Sequence, residues 1–329
     1  MREINFAEAT LEAMREEMQR DPTVFVMGED IARQGGIFGQ FKGLTAEFGS
    51  DRVLDTPISE AAIVGSALGA AMTGMRPIVD IHFADFMTCA MDELVNQICK
   101  IRYMSGGQAS VPLVIRAPDG IARQVAAQHS QSLEAWFFHA PGMKIVAPSN
   151  PADAKGLLKS AIRENDPVLY CEHKSLYVVK GPVPDDEDYL VPIGQAAVRR
   201  LGRHATVVSY SMMLNKTLAA AELLAKEGID VEVIDLRSLL PMDLEAIYGS
   251  VKRTKRVLVA HEACRRGGIG AEIAATLSEE LYDWLDAPVM RVGARNVPVP
   301  FSAPLERYVI PQVEDIAEAV RRLMVGVPL

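Results

Sequence analysis

Apolar residues follow two alternating patterns along the chain. Short β-branched runs predict buried strands, and segments in which apolar residues recur every three or four positions predict amphipathic helices. Strands are predicted at 24–27, 77–81, 113–117, 144–147, 168–171, 205–209, 230–234, 256–260 and 288–292. Helices are predicted at 6–18, 59–74, 88–102, 151–163, 213–227, 243–251, 270–284 and 312–324. This alternation predicts two successive α/β/α domains with mostly parallel sheets, covered by helices on both faces.

Two of the predicted helices begin with recognisable capping residues. Asn5 precedes Phe6-Ala7-Glu8, the pattern of a capping box. Asn150 is followed by Pro151 at the first helical position and by Asp153, which is placed to complete a second cap.

The composition changes at Gly181, where the sequence GPVPDDEDYLVP contains three prolines and four consecutive acids. Such a segment disfavours both helices and interior strands. We interpret residues 181–194 as a linker between a first domain, residues 1–180, and a second domain, residues 195–329. A length of 329 residues agrees with two domains.

Composition excludes several broad classes of protein. Hydrophobic residues make up 49% and charged residues 23%, which is typical of a globular chain and argues against disorder. The formal charge of -9 argues against nucleic-acid binding, because phosphate backbones repel an acidic protein. The longest uncharged run, Ala61 to Met75, is too short to cross a bilayer.

Two further features favour a cytoplasmic protein. The N-terminal segment is densely charged and offers no apolar signal-peptide core. The four cysteines are far apart and form no CxxC pair, which favours buried thiols in a reducing compartment over disulfides or a zinc site.

Glu60 is the first candidate for chemistry, because it follows Asp55-Thr56-Pro57-Ile58-Ser59 and begins a helix rich in small residues. A first-turn acid can simply complement the helix dipole. It can also lie at the rim of a dry pocket and share a proton with a bound heterocycle. The residues Gly65, Ser66, Gly69 and Ala70 form a smooth face that lets a sheet, a cofactor or a partner subunit approach closely.

Three other segments leave similar alternatives open. His129, in the loop AAQHSQS, is either an ordinary loop histidine or a group facing a cleft. Phe86 is either a core residue or a ring that stacks on a flat cofactor. His82 and His139 are expected to pack rather than to act. The run Gly267 to Ala271 predicts a tight strand-to-helix turn, because its spacing is not that of a dinucleotide loop.

Considered together, these segments resemble one known family over essentially the whole chain. The sequence contains DTPISEAAIVGSALGAAMTGMRPIVDIHFADF, RYMSGG, AAQHSQSLEAWFFHAPGMKIVAPSNPADAKGLLKSAIRENDPV and VIDLRSLLPMD, in this order. It is similar to the beta subunit of the thiamine-diphosphate-dependent decarboxylating component of 2-oxo acid dehydrogenase complexes. That family is transketolase-like and includes pyruvate, acetoin and branched-chain members. The implied fold is a pyrimidine-binding domain followed by a transketolase C-terminal-like domain.

The resemblance implies roles for individual residues. Glu60 would contact N1′ of the aminopyrimidine ring and share its proton, and Phe86 would stack against that ring, with Ile58 and Met87 also lining the cofactor. His129 would position the substrate and assist acyl transfer to lipoamide. A structural monovalent-cation site, normally potassium, would be formed by backbone atoms of Leu113, Ala161, Ile162, Glu164 and Asp166.

The resemblance also implies that half of the cofactor site is supplied by another chain. Such enzymes hold Mg²⁺ and the diphosphate with a GDG motif and a later asparagine, and this sequence contains no such segment. In the family an alpha subunit supplies that half, in an α2β2 heterotetramer that docks on a dihydrolipoyl acyltransferase core. The second domain would contribute to beta–beta contact and to docking. We therefore expect a 2-oxo acid or acetoin as substrate, and no nucleic-acid or membrane partner.

The substrate and two other hypotheses stay open at this level. AAQHSQS and PSNPADAKGLL are similar to acetoin- or pyruvate-type members, whereas the segment Val259 to Ala263 is similar to branched-chain members. A catalytically silent assembly subunit is a second hypothesis, disfavoured because Glu60, Phe86 and His129 occur together. A free-standing transketolase-type enzyme is disfavoured because the diphosphate motif is missing.

Overall fold

The chain divides into two compact units in a computed structural model that describes residues 1–325. The first unit contains residues 1–119 and 136–193, and the second contains residues 120–135 and those from Gly194 onward. The segment between residues 120 and 135 therefore groups with the second unit, although it follows a strand of the first.

In the first unit, β3, β2, β4, β5, β7 and β6 lie side by side in that order, and every neighbouring pair is parallel. Strands β1 and β8 form a separate antiparallel pair. The strands are β1 (Arg2–Asn5), β2 (Val24–Gly28), β3 (Val53–Asp55), β4 (Arg76–Asp80), β5 (Val114–Asp119), β6 (Lys144–Val146), β7 (Val168–His173) and β8 (Lys180–Val183). The helices are α1 (Phe6–Arg20), α2 (Leu44–Phe48), α3 (Glu60–Met72), α4 (Ile101–Met104), α5 (Glu134–Phe138), whose first two residues group with the second unit, and α6 (Pro151–Arg163).

In the second unit, the sheet order is β14, β13, β10, β11, β9, with only the edge strand β9 antiparallel to its neighbour. The strands are β9 (Ala197–Arg200), β10 (Ala205–Ser209), β11 (Val231–Asp235), β12 (Ser238–Leu240), β13 (Val257–Cys264) and β14 (Met290–Ala294). The helices are α7 (Ser211–Lys226), α8 (Leu244–Thr254), α9 (Ile269–Glu280), α10 (Ala303–Val309) and α11 (Val313–Val325). The predicted α/β class with mostly parallel sheets is confirmed.

The local signals for helix starts are also confirmed. Asn5 accepts a hydrogen bond from the backbone N–H of Glu8, whose side chain accepts from the N–H of Asn5. Asn150 accepts from the N–H of Asp153, with Pro151 at the first helical position of α6. These caps satisfy backbone donors that a helix start leaves without intrahelical partners.

Helices α1 and α6 pack against each other through matched rows of charge. Lys155 Nζ lies 2.5 Å from Glu12 Oε1 and 2.7 Å from Glu16 Oε1, and Lys159 Nζ lies 2.5 Å from Glu16 Oε2. Both lysine side chains are completely buried, so their charges depend on these carboxylates. Apolar residues of the same two helices, including Met14 and Leu158, belong to the core of the first unit.

Three expectations are corrected by the structure. The helix predicted at 88–102 is a succession of a 3-10 helix (Ala84–Ala90), a π-helix (Asp92–Ile98) and the short α4. The helix predicted at 270–284 ends at Glu280, and a 3-10 turn covers Tyr282–Trp284. None of the four cysteines forms a disulfide, and two of them, Cys89 and Cys264, are exposed rather than buried.

Five short strands carry no readable sequence pattern and were not predicted. They are β1, β3, β8, β9 and β12, each of three or four residues. Segments of three or four residues are too short to show a periodic pattern. They become strands because their backbones pair with a neighbouring strand, which the local sequence does not reveal. Strand β8 lies within the proposed linker and tolerates Pro182 because it belongs to a two-stranded pair. Among residues 1–325 there is no helix long and apolar enough to cross a membrane.

A buried histidine of β13, His261, packs against the tight turn at Gly267 to Ala271. The predicted turn is confirmed by the positive φ of Gly267 (71°) before α9. A Cβ atom on Gly268, Gly270 or Gly293 would lie within 2.6–2.9 Å of the His261 ring. The Nδ1 atom of His261 is 3.1 Å from the carbonyl oxygen of Ala263, as expected for a neutral ring that donates to it. Burial lowers the pKa of His261 from 6.5 to about 4.

This pKa predicts an acid-sensitive second unit. His261 takes up a proton below about pH 6.5 in the unfolded chain but only below about pH 4 in the folded chain. The free energy of unfolding therefore decreases as the pH falls from 6.5 to 4. Between pH 6.5 and 5 the loss amounts to about 1.6 kcal/mol. Urea unfolding of the wild type and of His261→Gln at pH 6.5 and pH 5 measures this loss in the free energy of unfolding. The pH-dependent loss should be smaller in the variant by about that amount, and equal losses in the two proteins would contradict the assignment.

Candidate functional site

The carboxyl ends of the parallel strands in the first unit bring several titratable side chains to one edge of the sheet. Glu29 follows β2, Asp80 ends β4, and Glu60 begins α3 after β3. Strands β2 and β4 approach closely here, because a Cβ atom on Gly28 would lie 2.8 Å from the carbonyl oxygen of Asp80. In open α/β sheets this edge is the usual place for a ligand.

Glu60 lies at the N-terminus of α3 and is half-buried. The side chain of the N-cap residue Ser59 makes no capping hydrogen bond. The acidic residue in the first turn of α3 is Glu60, whose negative charge complements the helix dipole. Burial, followed by the charge of Glu60, raises the pKa of Glu29. The charge of Glu60 therefore acts on Glu29 at the sheet edge, and Glu29 keeps its proton to higher pH than an exposed glutamate does.

Helix α3 buries only one of its faces within this chain. Ile63, Val64, Ala67 and Ala71 are buried, whereas Ala62, Ser66, Gly69 and Met72 are exposed. The small-residue face is therefore available for close contact with another surface, and the sheet of this chain does not cover it.

The other predicted cofactor residues differ in their exposure. Phe86 is half-buried in the 3-10 helix after β4, and its N–H donates to the carbonyl of Phe83. Met87 is buried in the core, with 1% of its surface exposed, whereas Ile58 is 81% exposed. Of these three side chains, Phe86 and Ile58 are accessible to a ligand in this chain.

His129 lies on the loop that groups with the second unit, and its side chain is half-buried. Its backbone N–H donates to the carbonyl of Ala126 at 3.4 Å. Glu60 and His129 therefore belong to different units.

The predicted cation site lies around the C-terminal end of α6. The carbonyl oxygens of Ile162 and Glu164 accept hydrogen bonds from Arg76 Nη1 at 3.0 and 2.8 Å. The carbonyl of Leu113 accepts from the N–H of Val168, and that of Ala161 from the N–H of Glu164. The side chain of Asp166 pairs with Lys144 and Arg102. Of the predicted backbone ligands, only the carbonyl oxygens of Ile162 and Glu164 share a partner, the guanidinium group of Arg76.

A buried charge cluster beside Glu29 was not predicted from the sequence. Arg116 on β5 donates to both carboxylate oxygens of Glu172 on β7, at 2.8 and 2.7 Å, and both side chains are completely buried. Tyr177 donates to Glu172 at 3.0 Å, and Asp80 lies 4.0 Å from Arg116 Nη1. One sequence signal could have revealed the cluster: the charged residues Asp80, Arg116 and Glu172 each lie within a mostly apolar strand.

His82 connects this cluster to the sheet edge. Its Nε2 atom lies 2.5 Å from Oδ2 of Asp80. Burial disfavours the charged imidazole, but Asp80 and the nearby Glu29 outweigh this effect and raise the pKa of His82. The ring of His82 is therefore paired with a carboxylate, and the expectation that it packs rather than acts in catalysis stays a prediction. Residues 1–325 contain no group of three or more His, Cys, Asp or Glu side chains arranged to hold a metal ion.

Comparison with known families identifies both halves of the chain. Residues 2–180 match the family described as "Transketolase, pyrimidine binding domain", and residues 194–316 match "Transketolase, C-terminal domain". A solved structure described as a split-gene transketolase in an inactive beta4 tetramer has a TM-score of 0.80 and 26% identity, and the match covers 98% of this chain and 99% of that one.

The relatives with known names narrow the assignment of the chain to one family within the transketolase-like proteins. The pyruvate dehydrogenase E1 component subunit beta-2 of Oryza sativa subsp. japonica is 45% identical over 98% of this chain and 86% of its own length. The acetoin:2,6-dichlorophenolindophenol oxidoreductase subunit beta of Cupriavidus necator is 46% identical, over 99% and 98% of the two chains. The chain belongs to the E1 beta-subunit family of 2-oxo acid dehydrogenases. The 2-oxoisovalerate dehydrogenase subunit beta of Bacillus subtilis is also 46% identical, over 97% and 98%, so identity alone does not separate the members of this E1 beta family by substrate.

Proposed function

We propose that this chain is the beta subunit of a pyruvate-type or acetoin-type dehydrogenase complex, with thiamine diphosphate as cofactor. The reaction would be oxidative decarboxylation or C–C cleavage, with transfer of the acyl group to lipoamide on a dihydrolipoyl acyltransferase core. The observation that carries the proposal is the carboxylate of Glu60, at the start of α3 and beside Glu29, in a chain whose two halves match transketolase domains.

The residues at this edge suit the pyrimidine half of the cofactor. When bound, thiamine diphosphate supplies a carbon nucleophile for the substrate carbonyl and accepts the electron pair left after cleavage. Glu60 would hold a proton at ring nitrogen N1′, and half-buried Phe86 would offer a ring face for stacking. The raised pKa of Glu29 supports this role, because a second carboxyl group at the edge can keep a proton near Glu60. Exposed Ile58 completes the proposed set together with Met87, which would contribute through its backbone because its side chain is buried.

His129 would act on the substrate rather than on the cofactor. An imidazole can donate a hydrogen bond to a carbonyl oxygen and can move a proton near neutral pH. We assign it to positioning the substrate and assisting acyl transfer to lipoamide.

The remaining half of the cofactor site would come from an alpha subunit. Diphosphate and Mg²⁺ need oxygen ligands and phosphate donors, and we assign these to the partner. The exposed small-residue face of α3 supports such a partner, because Gly69 and Ser66 allow close approach of a second backbone. The assembly would be an α2β2 heterotetramer, in which the second unit contributes to beta–beta contact and docking. A cytoplasmic location also stays a prediction.

Two alternatives remain distinct from this proposal. A branched-chain 2-oxo acid dehydrogenase beta subunit is favoured by the segment Val259 to Ala263 and by the similarity to the Bacillus subtilis protein. A catalytically silent assembly subunit is disfavoured, because it has no need of the combination of Glu60, Phe86 and His129.

Reconstitution tests the proposed function directly. The purified chain alone should bind thiamine diphosphate weakly and show no turnover, because it carries half of the site. Addition of the alpha subunit should restore both, measured by calorimetry and by lipoamide-dependent turnover. A panel of pyruvate, acetoin and branched-chain 2-oxo acids then identifies the substrate class. Full activity of the chain alone would refute the proposal, and assembly without turnover on any substrate would favour the silent subunit.

Substitution of Glu60 tests its assigned role. Glu60→Gln keeps the size of the side chain but cannot share a proton with N1′, so turnover should fall by at least about 100-fold, the usual range for loss of acid–base catalysis. Assembly with the alpha subunit, monitored by gel filtration, should be the same as for the wild type. Asp51→Asn, at an exposed carboxylate before β3, is the matched control and should retain activity. A Glu60→Gln enzyme with near-wild-type turnover would show that the assignment is wrong.

The potassium-type site is proposed on its donor set. The carbonyls of Ala161, Ile162 and Glu164 lie at the negative end of α6, and hard oxygens of this kind suit a monovalent cation. Arg76 donates to one lone pair on the carbonyls of Ile162 and Glu164, which leaves the second lone pair of each for an ion.

Binding of potassium at this site should stabilise the fold. The melting temperature in potassium chloride should therefore exceed that in choline chloride of equal ionic strength by a few degrees. Equal melting temperatures would remove the proposed site.

A further inference from the structure

The loop that carries His129 is attached to the second unit by specific contacts. The N–H of Gly120 donates to the carbonyl of Gln131 at 3.1 Å, which closes the base of the loop. The side chain of Ile121 packs against the apolar core of the second unit. The loop therefore begins directly after β5 and is held in place, from its second residue onward, by contacts with residues far along the chain.

Two buried carboxylates of the second unit bind the backbone of this loop. Glu262 on β13 accepts from the N–H of Ile121 at 2.8 Å, and Glu306 on α10 accepts from the N–H of Gln124 at 2.9 Å. The two glutamates are only 7% and 9% exposed. Hydrogen bonds to an ionised carboxylate are about twice as strong as neutral ones, and burial strengthens them further.

The loop needs such support because part of its backbone is strained. Arg123, Gln124 and Ala126 have positive φ values of 38°, 67° and 61°. Residues with a Cβ atom adopt this region at a cost of about 1–3 kcal/mol each and persist there only when the surroundings hold them. The N–H of Gln124, one of these residues, is the group that Glu306 binds, and the carbonyl of Ala126 accepts from the N–H of His129.

A third contact holds the downstream end of the segment. Tyr210, which precedes α7, donates to Oε1 of buried Glu134 at 2.5 Å. The ring of Tyr210 stacks on His261, with 6.4 Å between ring centroids. The backbone on either side of His129 is therefore connected to the core of the second unit.

We propose that Glu262 and Glu306 are positioning residues that hold His129 in its working place by binding the backbone of its loop. The proposal rests on the function proposed for His129. Through these two carboxylates, the second unit would contribute to acyl transfer as well as to subunit contact. Neither glutamate touches the substrate or the cofactor in this proposal, and each acts through the loop.

Hydrogen exchange tests the attachment independently of activity. In the reconstituted complex, Glu306→Ala and Glu262→Ala should accelerate exchange of amides in residues 120–131 by about 10-fold or more. Glu306→Gln and Glu262→Gln should restore much of the protection, because an amide oxygen still accepts from a backbone N–H. Glu222→Ala, at an exposed carboxylate of α7, is the matched control and should leave exchange unchanged. Unchanged exchange in both alanine variants would overturn the proposal.

Kinetics then separates positioning from general stability. Reduction of an artificial dye bypasses the lipoyl group, whereas the complete assay requires acyl transfer to it. The alanine variants should lose about 10-fold in kcat for lipoamide-dependent turnover, with a smaller loss in dye reduction and with melting temperatures within about two degrees of the wild type. Equal losses in both assays together with a lower melting temperature would indicate a purely structural role and overturn the proposal.

A His129→Ala variant distinguishes failure of this inference from failure of the proposed function. If His129→Ala retains full lipoamide-dependent turnover, the role proposed for His129 is wrong, and the positioning proposal falls with it. If His129→Ala loses turnover while the two alanine variants behave like Glu222→Ala, the proposed function stands and the positioning role of the glutamates is refuted.

Discussion

The buried ion pair between Arg116 and Glu172 is the interaction on which the sheet edge of the first unit depends. It joins β5 to β7 through two hydrogen bonds, with no exposure of either side chain. Burial opposes the charge on Arg116, but attraction to Glu172 and Asp80 outweighs that cost and raises the pKa of Arg116. The guanidinium also lies 4.7 Å above the ring of Phe41. Loss of either partner would leave a buried, unpaired charge, which costs about 3–5 kcal/mol.

Asp80 connects this pair to the titratable groups at the sheet edge. Asp80 lies between Arg116 and His82, and His82 lies in the field of Glu29, whose pKa in turn responds to Glu60. A continuous series of titratable groups therefore runs from the interior of the sheet to the start of α3. Glu60, for which a proton-sharing role is proposed above, stands at the outer end of this series.

The sequence predicted the alternation of strands and helices well wherever an element was long and periodic. Helices α1 and α6 were predicted together with their caps, because an asparagine cap acts through residues three positions away. The helix at 88–102 was not predicted correctly, since apolar periodicity cannot distinguish an α-helix from a 3-10 and π succession. The candidate residues Glu60, Phe86 and His129 came from a family resemblance rather than from their spacing, and single-residue patterns left their roles open.

The sequence by itself determined the α/β class and the membership of the E1 beta family, because strand periodicity and ordered motifs are properties of the chain alone. Only the tertiary structure decided which distant charges meet. Lys155 and Lys159 are completely buried against Glu12 and Glu16, more than 100 positions away along the chain. Likewise, the loop of His129 is held by glutamates that follow it by well over 100 residues. Such pairings depend on strand order and helix packing, which no local pattern of residues encodes.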